Sequence, residues 1–118
     1  MSLYKVYILA NRDLMKIPKR TKIGISMNPH DRIRTLNLDK IVYRGFEDLY
    51  VYGIYETHNP RDLEHAAHIY FKKYRCNLRG FEGCTEFFDI HPQLAERFLL
   101  NTGAKKIYDP NINLEVDV

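Results

Sequence analysis

Tryptophan is absent from this 118-residue chain and cysteine is nearly so, with Cys76 and Cys84 its two thiols. Two cysteines separated by seven residues are too sparse for the disulfide framework of a secreted mini-domain, and Cys-x7-Cys is not a familiar zinc spacing. They are read as free thiols, with a zinc site shared with His65, His68 or His91 as the other assignment. No apolar run approaches the length needed to cross a membrane, and the start, Met-Ser-Leu-Tyr-Lys, lacks the apolar segment and cleavage site of a secretory leader. The expected location is therefore intracellular, cytoplasmic or nuclear, with no membrane partner. Gly/Ser-rich and Pro-rich linkers, internal repeats and low-complexity tracts are also missing, so a single domain over residues 1–118 is expected.

What is present fits a folded globular chain: 45% hydrophobic residues, with nine tyrosines and six phenylalanines. The net charge of +3 hides an asymmetry. Residues 1–46 hold ten Lys/Arg against three Asp/Glu, a balance of +7, and residues 47–118 hold eight against twelve, a balance of −4. A basic amino-terminal half suits a polyanion, because phosphate contacts dominate nucleic-acid affinity.

Alternation makes Tyr4 to Leu9 a strand, with Tyr4, Val6 and Ile8 on one face and Lys5, Tyr7 and Leu9 on the other. A loop from Asn11 to Lys19 leads to a second strand, in which Ile23 and Ile25 alternate with Lys22, Gly24 and Ser26. If the apolar faces share a core, a phenol and an ammonium, Tyr7 and Lys22, lie side by side on the opposite face. The loop and its flanks carry Arg12, Lys16, Lys19 and Arg20 as candidate nucleic-acid contacts, joined by Arg34 further on.

Asn28, Pro29 and Asp31 have the grammar of a helix start, with Ile33 and Leu36 toward the core and Arg32 one position off that stripe. Residues 49–55 read as a third strand. Asn59, Pro60 and Asp62 open a second helix running to about Tyr74, with an apolar stripe of Leu63, Ala66, Ala67, Tyr70, Phe71 and Tyr74. Glu64 borders that stripe, and His68 lies one turn on along the same side. A short extended piece at 86–90 and a last helix from Pro92 to about Leu100 follow. The tail from Gly103 ends in an alternating stretch, 112–118, read as an edge strand or disordered.

Taken in order, strand with Tyr, strand with Lys-Ile-Gly, helix with Arg, strand, helix with Glu, the chain resembles the GIY-YIG nuclease superfamily. It is most similar to the phage and viral branch whose second motif reads Lys-Ile-Gly in place of Tyr-Ile-Gly. Lys5-Val6-Tyr7 carries the first motif and Lys22-Ile23-Gly24 the second. The arginine ten positions after Lys22 is Arg32, the later glutamate is Glu64, and the asparagine about a dozen residues beyond it is Asn77. The literal Gly53-Ile54-Tyr55 is a decoy, since its place before the glutamate helix matches the third strand. The family's histidine four residues after the arginine would be Leu36 here, which leaves that role vacant or to His30.

The resemblance implies an α/β (α+β) domain, a small three-stranded antiparallel sheet flanked by helices, with its core at about 4–90. It also implies a DNA endonuclease or nicking enzyme using one divalent metal, Mg²⁺ or Mn²⁺. In that scheme Tyr7 takes a proton from an attacking water, and Lys22 beside it supplies the positive charge that stabilises a phenolate. Arg32 binds the scissile phosphate, Glu64 holds the metal, and Gly24, His68, Asn77 and His30 support the site. DNA is the expected partner, with RNA open. Superfamily members often carry a further DNA-binding domain, so affinity is expected to depend on a homodimer, a targeting partner or the basic loop. The alternatives are a catalytically silent nucleic-acid-binding module of the same fold and a zinc-binding interaction domain.

Overall fold

The alternating stretch 5–11 forms a strand, but both of its faces are covered. A computed structural model describes residues 3–13, 15, 18–38, 49–79 and 84–110, with backbone alone for 34–38. Strands β1 (Lys5–Asn11), β2 (Thr21–Ser26), β3 (Leu49–Glu56), β4 (Phe87–Phe88) and β5 (Lys105–Tyr108) join helices α1 (Pro29–Leu38), α2 (Pro60–Tyr70) and α3 (Pro92–Asn101). The strands make one antiparallel sheet in the order β4-β2-β1-β3-β5.

Val6, Ile8 and Ile23 bury on one face against Leu63, Ala67 and Phe71 from the α2 side and Ala95 and Leu99 of α3. Each such aliphatic side chain contributes roughly 1.5–3 kcal/mol when fully buried. On the other face Tyr7, Leu9, Leu49, Val51, Ile54 and Phe87 form a second cluster against which Ile33 of α1 packs. Tyr7 and Lys22 therefore share a face as their alternation requires, but that face is interior and not solvated.

The expected three-stranded sheet is corrected to five strands. The two additions are hard to read from residues: β4 is two residues that pair with Thr21 and Lys22 of β2 and bond on the other side to residues 75–76, and β5 is four residues of mixed polarity. The 112–118 stretch lies outside the described residues. The second helix ends at Tyr70, and Lys72–Tyr74 is a 3-10 turn. Of its stripe, Leu63, Ala67 and Phe71 are buried, whereas Ala66, Tyr70 and Tyr74 are exposed. Asn28 accepts from the Asp31 backbone N–H at 3.4 Å as expected. Asn59 makes no side-chain capping bond, and α3 is capped by His91, whose Nδ1 accepts from Gln93 N–H at 3.1 Å.

A bulge sets the phase of β3. Ile8 faces Gly53 while Leu9 faces Val51, so Tyr52 is the extra residue and the strand changes face there. Tyr55 then folds back over Gly53, where a Cβ would lie 2.3 Å from its hydroxyl, and that hydroxyl donates to Glu96 Oε1 at 2.6 Å. Burial, followed by the Glu96 carboxylate, raises the Tyr55 pKa. The literal Gly53-Ile54-Tyr55 string is thus a core-packing device, in keeping with its reading as a decoy.

Candidate functional site

Pairing of β1 with β2 sets Tyr7 opposite Gly24 and Leu9 opposite Lys22, so a tyrosine reaching across the sheet passes over a residue without a side chain. Lys22 Nζ donates to the Tyr7 hydroxyl oxygen at 2.6 Å. Tyr7 is 1% exposed and Lys22 is 0% exposed. A lysine fully out of water is costly unless its ammonium is paired, and the partner is Glu86, whose Oε1 accepts a hydrogen bond from Nζ. The rings of Tyr7 and Phe87 lie 4.9 and 5.9 Å from the same nitrogen. A Cβ on Gly24 would stand 2.6 Å from the Tyr7 hydroxyl and 2.9 Å from Glu86 Oε1. The glycine of Lys22-Ile23-Gly24 is required because a phenol and a carboxylate fill its missing side chain's place.

Glu86 belongs to the 3-10 turn Cys84–Glu86 just before β4, and it is the site residue that the motifs do not point to. Its signal was weak: a lone carboxylate immediately before Phe87-Phe88, 64 residues from Lys22.

On α2, Glu64 is half-buried, and its pKa is pushed up to about 7, first by burial and then by the Glu86 carboxylate, against the opposing charges of Lys22 and Arg61. Two carboxyl groups thus act on one another beside a single buried ammonium. One turn along, His68 Nε2 meets the Ile23 carbonyl oxygen at 2.8 Å. A carbonyl only accepts, so Nε2 carries the hydrogen, and burial, the largest influence, lowers the His68 pKa. The imidazole is therefore neutral at pH 7, with its Nδ1 lone pair unprotonated. Arg75, whose charge also reaches His68, has its Nε buried without a hydrogen-bond partner among the described residues.

Tyr7, Lys22, Gly24, Glu64 and His68 are gathered by β1, β2 and α2, with Glu86 added. Arg32 is half-buried on the first turn of α1, six residues beyond the end of β2. His30 is exposed and meets Tyr108 of β5 edge-on at 5.1 Å. Asn77 is exposed with a left-handed backbone, φ 58°. Arg12 stacks over Tyr50 at 5.0 Å. The Lys19 N–H donates to Asp89 Oδ1 at 2.8 Å and the Arg20 N–H to Asn11 Oδ1 at 2.6 Å. Lys16 and the side chain of Arg34 lie outside the described residues.

Cys76 donates to the Lys19 carbonyl at 3.4 Å, and burial pushes its thiol up to about 11. Both thiols are free, and among the described residues no three His, Cys, Asp or Glu side chains converge as a metal site. No helix among the described residues is long and apolar enough to cross a membrane.

The raised Glu64 carboxyl makes a stability prediction. Its folded pKa of about 7 lies above its unfolded value, so its contribution is complete below about pH 4.3 and is lost as pH rises through 7. Glu64→Gln is expected to gain about 1 kcal/mol over wild type at pH 8, after allowance for partial exposure, and nothing at pH 4. Denaturant melts at the two pH values check it, and an equal effect at both would rule out Glu64 as the titrating group.

Residues 5–102 match the T5orf172 domain. A protein of Escherichia phage T5 named "Putative endonuclease" is 30% identical over 96 residues, covering 79% of this chain and 33% of the phage protein. The chain thus spans about a third of the length of that curated relative. No solved structure matches it. The matched span runs from the first residue of β1 past the end of α3 and contains every residue of the Tyr7, Lys22, Glu64, His68 and Glu86 cluster. With four-fifths of its length in that match, the chain belongs to the T5orf172 domain family.

Proposed function

We propose that this chain is a divalent-metal-dependent endonuclease of the GIY-YIG type that hydrolyses DNA phosphodiester bonds. The observation that carries this reading is the Lys22 ammonium, 0% exposed and 2.6 Å from the Tyr7 hydroxyl. A fold alone has no need of so costly a buried charge, and a tyrosine asked to handle a proton does. The endonuclease name of the phage relative supports the same class.

Tyr7 relays the proton of the attacking water, with Lys22 donating to the phenol oxygen and stabilising negative charge on it. Glu86 holds the ammonium in place. Arg32 binds the scissile phosphate and meets the charge that grows on it in the transition state. The acidic side chains fit a hard cation: Glu64 and Glu86 repel each other enough to help raise the Glu64 pKa, and their oxygens suit Mg²⁺ or Mn²⁺. Glu64 would hold that ion, which supplies Lewis-acid stabilisation of the leaving oxygen when bound. His68 braces α2 against β2 and fixes the turn that carries Glu64. Arg12, Lys16, Lys19, Arg20 and Arg34 are assigned to phosphate contacts outside the reacting centre, Asn77 and His30 to supporting roles, and target selection to a second copy or a partner.

The test is cleavage of supercoiled plasmid with Mg²⁺ or Mn²⁺, beside an RNA of matched length. Wild type is expected to nick or linearise the plasmid, and Glu64→Ala and Tyr7→Phe to lose at least a hundredfold while staying folded. Equal cutting by all three proteins points to a contaminant and removes the assignment. Salt-sensitive DNA binding by wild type without cutting establishes the silent binding module instead. Because metal binding releases a proton, activity should rise with pH through about 7, and that limb should move to lower pH as metal concentration is raised. A limb independent of metal concentration would exclude Glu64 as the ligand.

A further inference from the structure

On the other side of α2 lies a groove of about 860 Å³ between α2, its 3-10 extension and α3. None of Tyr7, Lys22, Glu64 and Glu86 lines it. Its walls combine aromatic rings with cations. Tyr70, 66% exposed, stacks on Phe98 with centroids 4.7 Å apart and rings tilted by 32°. Tyr74 is 44% exposed and has the Lys73 ammonium 5.2 Å from its ring centre. Lys19, Lys73 and Arg97 set three positive charges against Asp89, whose Oδ1 is already engaged by the Lys19 backbone N–H. Isolated exposed tyrosines are ordinary, but two in one groove, one stacked on a neighbour and one under a lysine, form a platform with cations at its rim.

We infer that this groove binds a single-stranded stretch of nucleic acid, with Tyr70 and Tyr74 as stacking surfaces for unpaired bases and Lys73 and Arg97 on the flanking phosphates. Base faces are available in a single strand and hidden in a duplex, and aromatic platforms beside a positive groove suit sequence-tolerant binding of the former. The volume lies within the range of a small-ligand site, enough for one or two bases. Tyr70 is six residues beyond Glu64 on α2, about 9 Å along its axis and roughly a third of a turn around it, so a strand leaving the candidate active site passes around the helix to reach the groove. The inference deepens the nuclease reading and rests on it for the choice of a nucleic acid over another polyanion.

The test is fluorescence anisotropy in EDTA, so that no cleavage intervenes, with a fluorescein-labelled oligo(dT), an abasic oligonucleotide of equal length and a mixed-sequence duplex. Tyr70→Ala with Tyr74→Ala is expected to weaken oligo(dT) binding at least tenfold and duplex binding less than twofold. Tyr70→Leu with Tyr74→Leu, which keeps apolar bulk without an aromatic face, should show the same loss even if the alanine protein folds poorly. Lys73→Ala with Arg97→Ala should weaken binding and flatten its salt dependence. Oligo(dT) affinity unchanged in the leucine protein, abasic binding as tight as oligo(dT), or equal competition by polyglutamate overturns the inference. Wild type that binds oligo(dT) through the tyrosines but cuts no plasmid leaves the groove standing and removes the nuclease reading. Cutting with oligo(dT) binding indifferent to the tyrosines removes the groove alone.

Discussion

Replacing Glu86 with alanine is expected to destabilise the protein by about 3 kcal/mol and to abolish phosphodiester cleavage. The Lys22 ammonium has no access to water, and Glu86 is its one anionic hydrogen-bond acceptor among the described residues. Removing one partner of a buried pair leaves an uncompensated charge, which costs more than the pair contributes. Glu86 itself is 25% exposed, which keeps the loss near the lower end of the range for such pairs. The melting temperature should fall by on the order of 10 °C. Lys22→Met combined with Glu86→Gln removes both charges and should recover most of the stability without any activity. Urea melts and the plasmid assay read the two quantities separately. An alanine variant as stable as wild type would mean that Glu86 does not compensate the buried charge. The double variant cutting normally would remove Lys22 from the chemistry.

Gly24→Ala is the second large effect. The new methyl group would stand 2.6 Å from the Tyr7 hydroxyl, 2.7 Å from its Cζ and 2.9 Å from Glu86 Oε1. Neither neighbour yields easily: Tyr7 is a rigid ring at 1% exposure, and Glu86 is tied to Lys22. Overpacking of a filled interior typically costs about 1–3 kcal/mol. The expected result is a folded protein destabilised by about 2 kcal/mol, with cleavage reduced at least a hundredfold because the phenol and carboxylate are pushed off Lys22. Gly103→Ala is a useful contrast. A Cβ there meets nothing within 4 Å, but φ is +98°, so its cost is backbone strain and its cleavage should match wild type. Equal activity losses at the two glycines would show that the Gly24 effect is global unfolding and not local displacement.

The sheet-face arithmetic that paired Tyr7 with Lys22 was legible because it needs only a period of two and one antiparallel pairing. Their burial was not legible, since it depends on α1, Phe87 and Leu49 closing over a face whose lysine suggested solvent. Glu86 was hidden for a related reason. Its importance comes from β4 docking two residues beside Thr21 and Lys22, a contact across some 64 residues of chain that no local pattern encodes. Helical spacing placed Glu64 and His68 along one side of α2 and the family resemblance singled them out, and the structure adds what neither can: a carboxyl pushed up by burial and an imidazole whose tautomer is set by Ile23. β5 escaped because Lys105 to Tyr108 is short and half polar.

The brevity of β4 and β5 bears on self-association. The outer strands are two and four residues long, and β5 begins with Lys105 and Lys106. Directly beyond the β4 contact, the β2 carbonyl of Ile23 is already occupied by His68. Among the described residues, a second copy approaching edge-on finds β4 already bonded on its outer side to residues 74–76 and only the four residues of β5 to extend at the other rim. Any dimer this chain forms is therefore expected to join through helices and side chains, leaving the sheet discrete and protecting concentrated solutions from strand-to-strand aggregation.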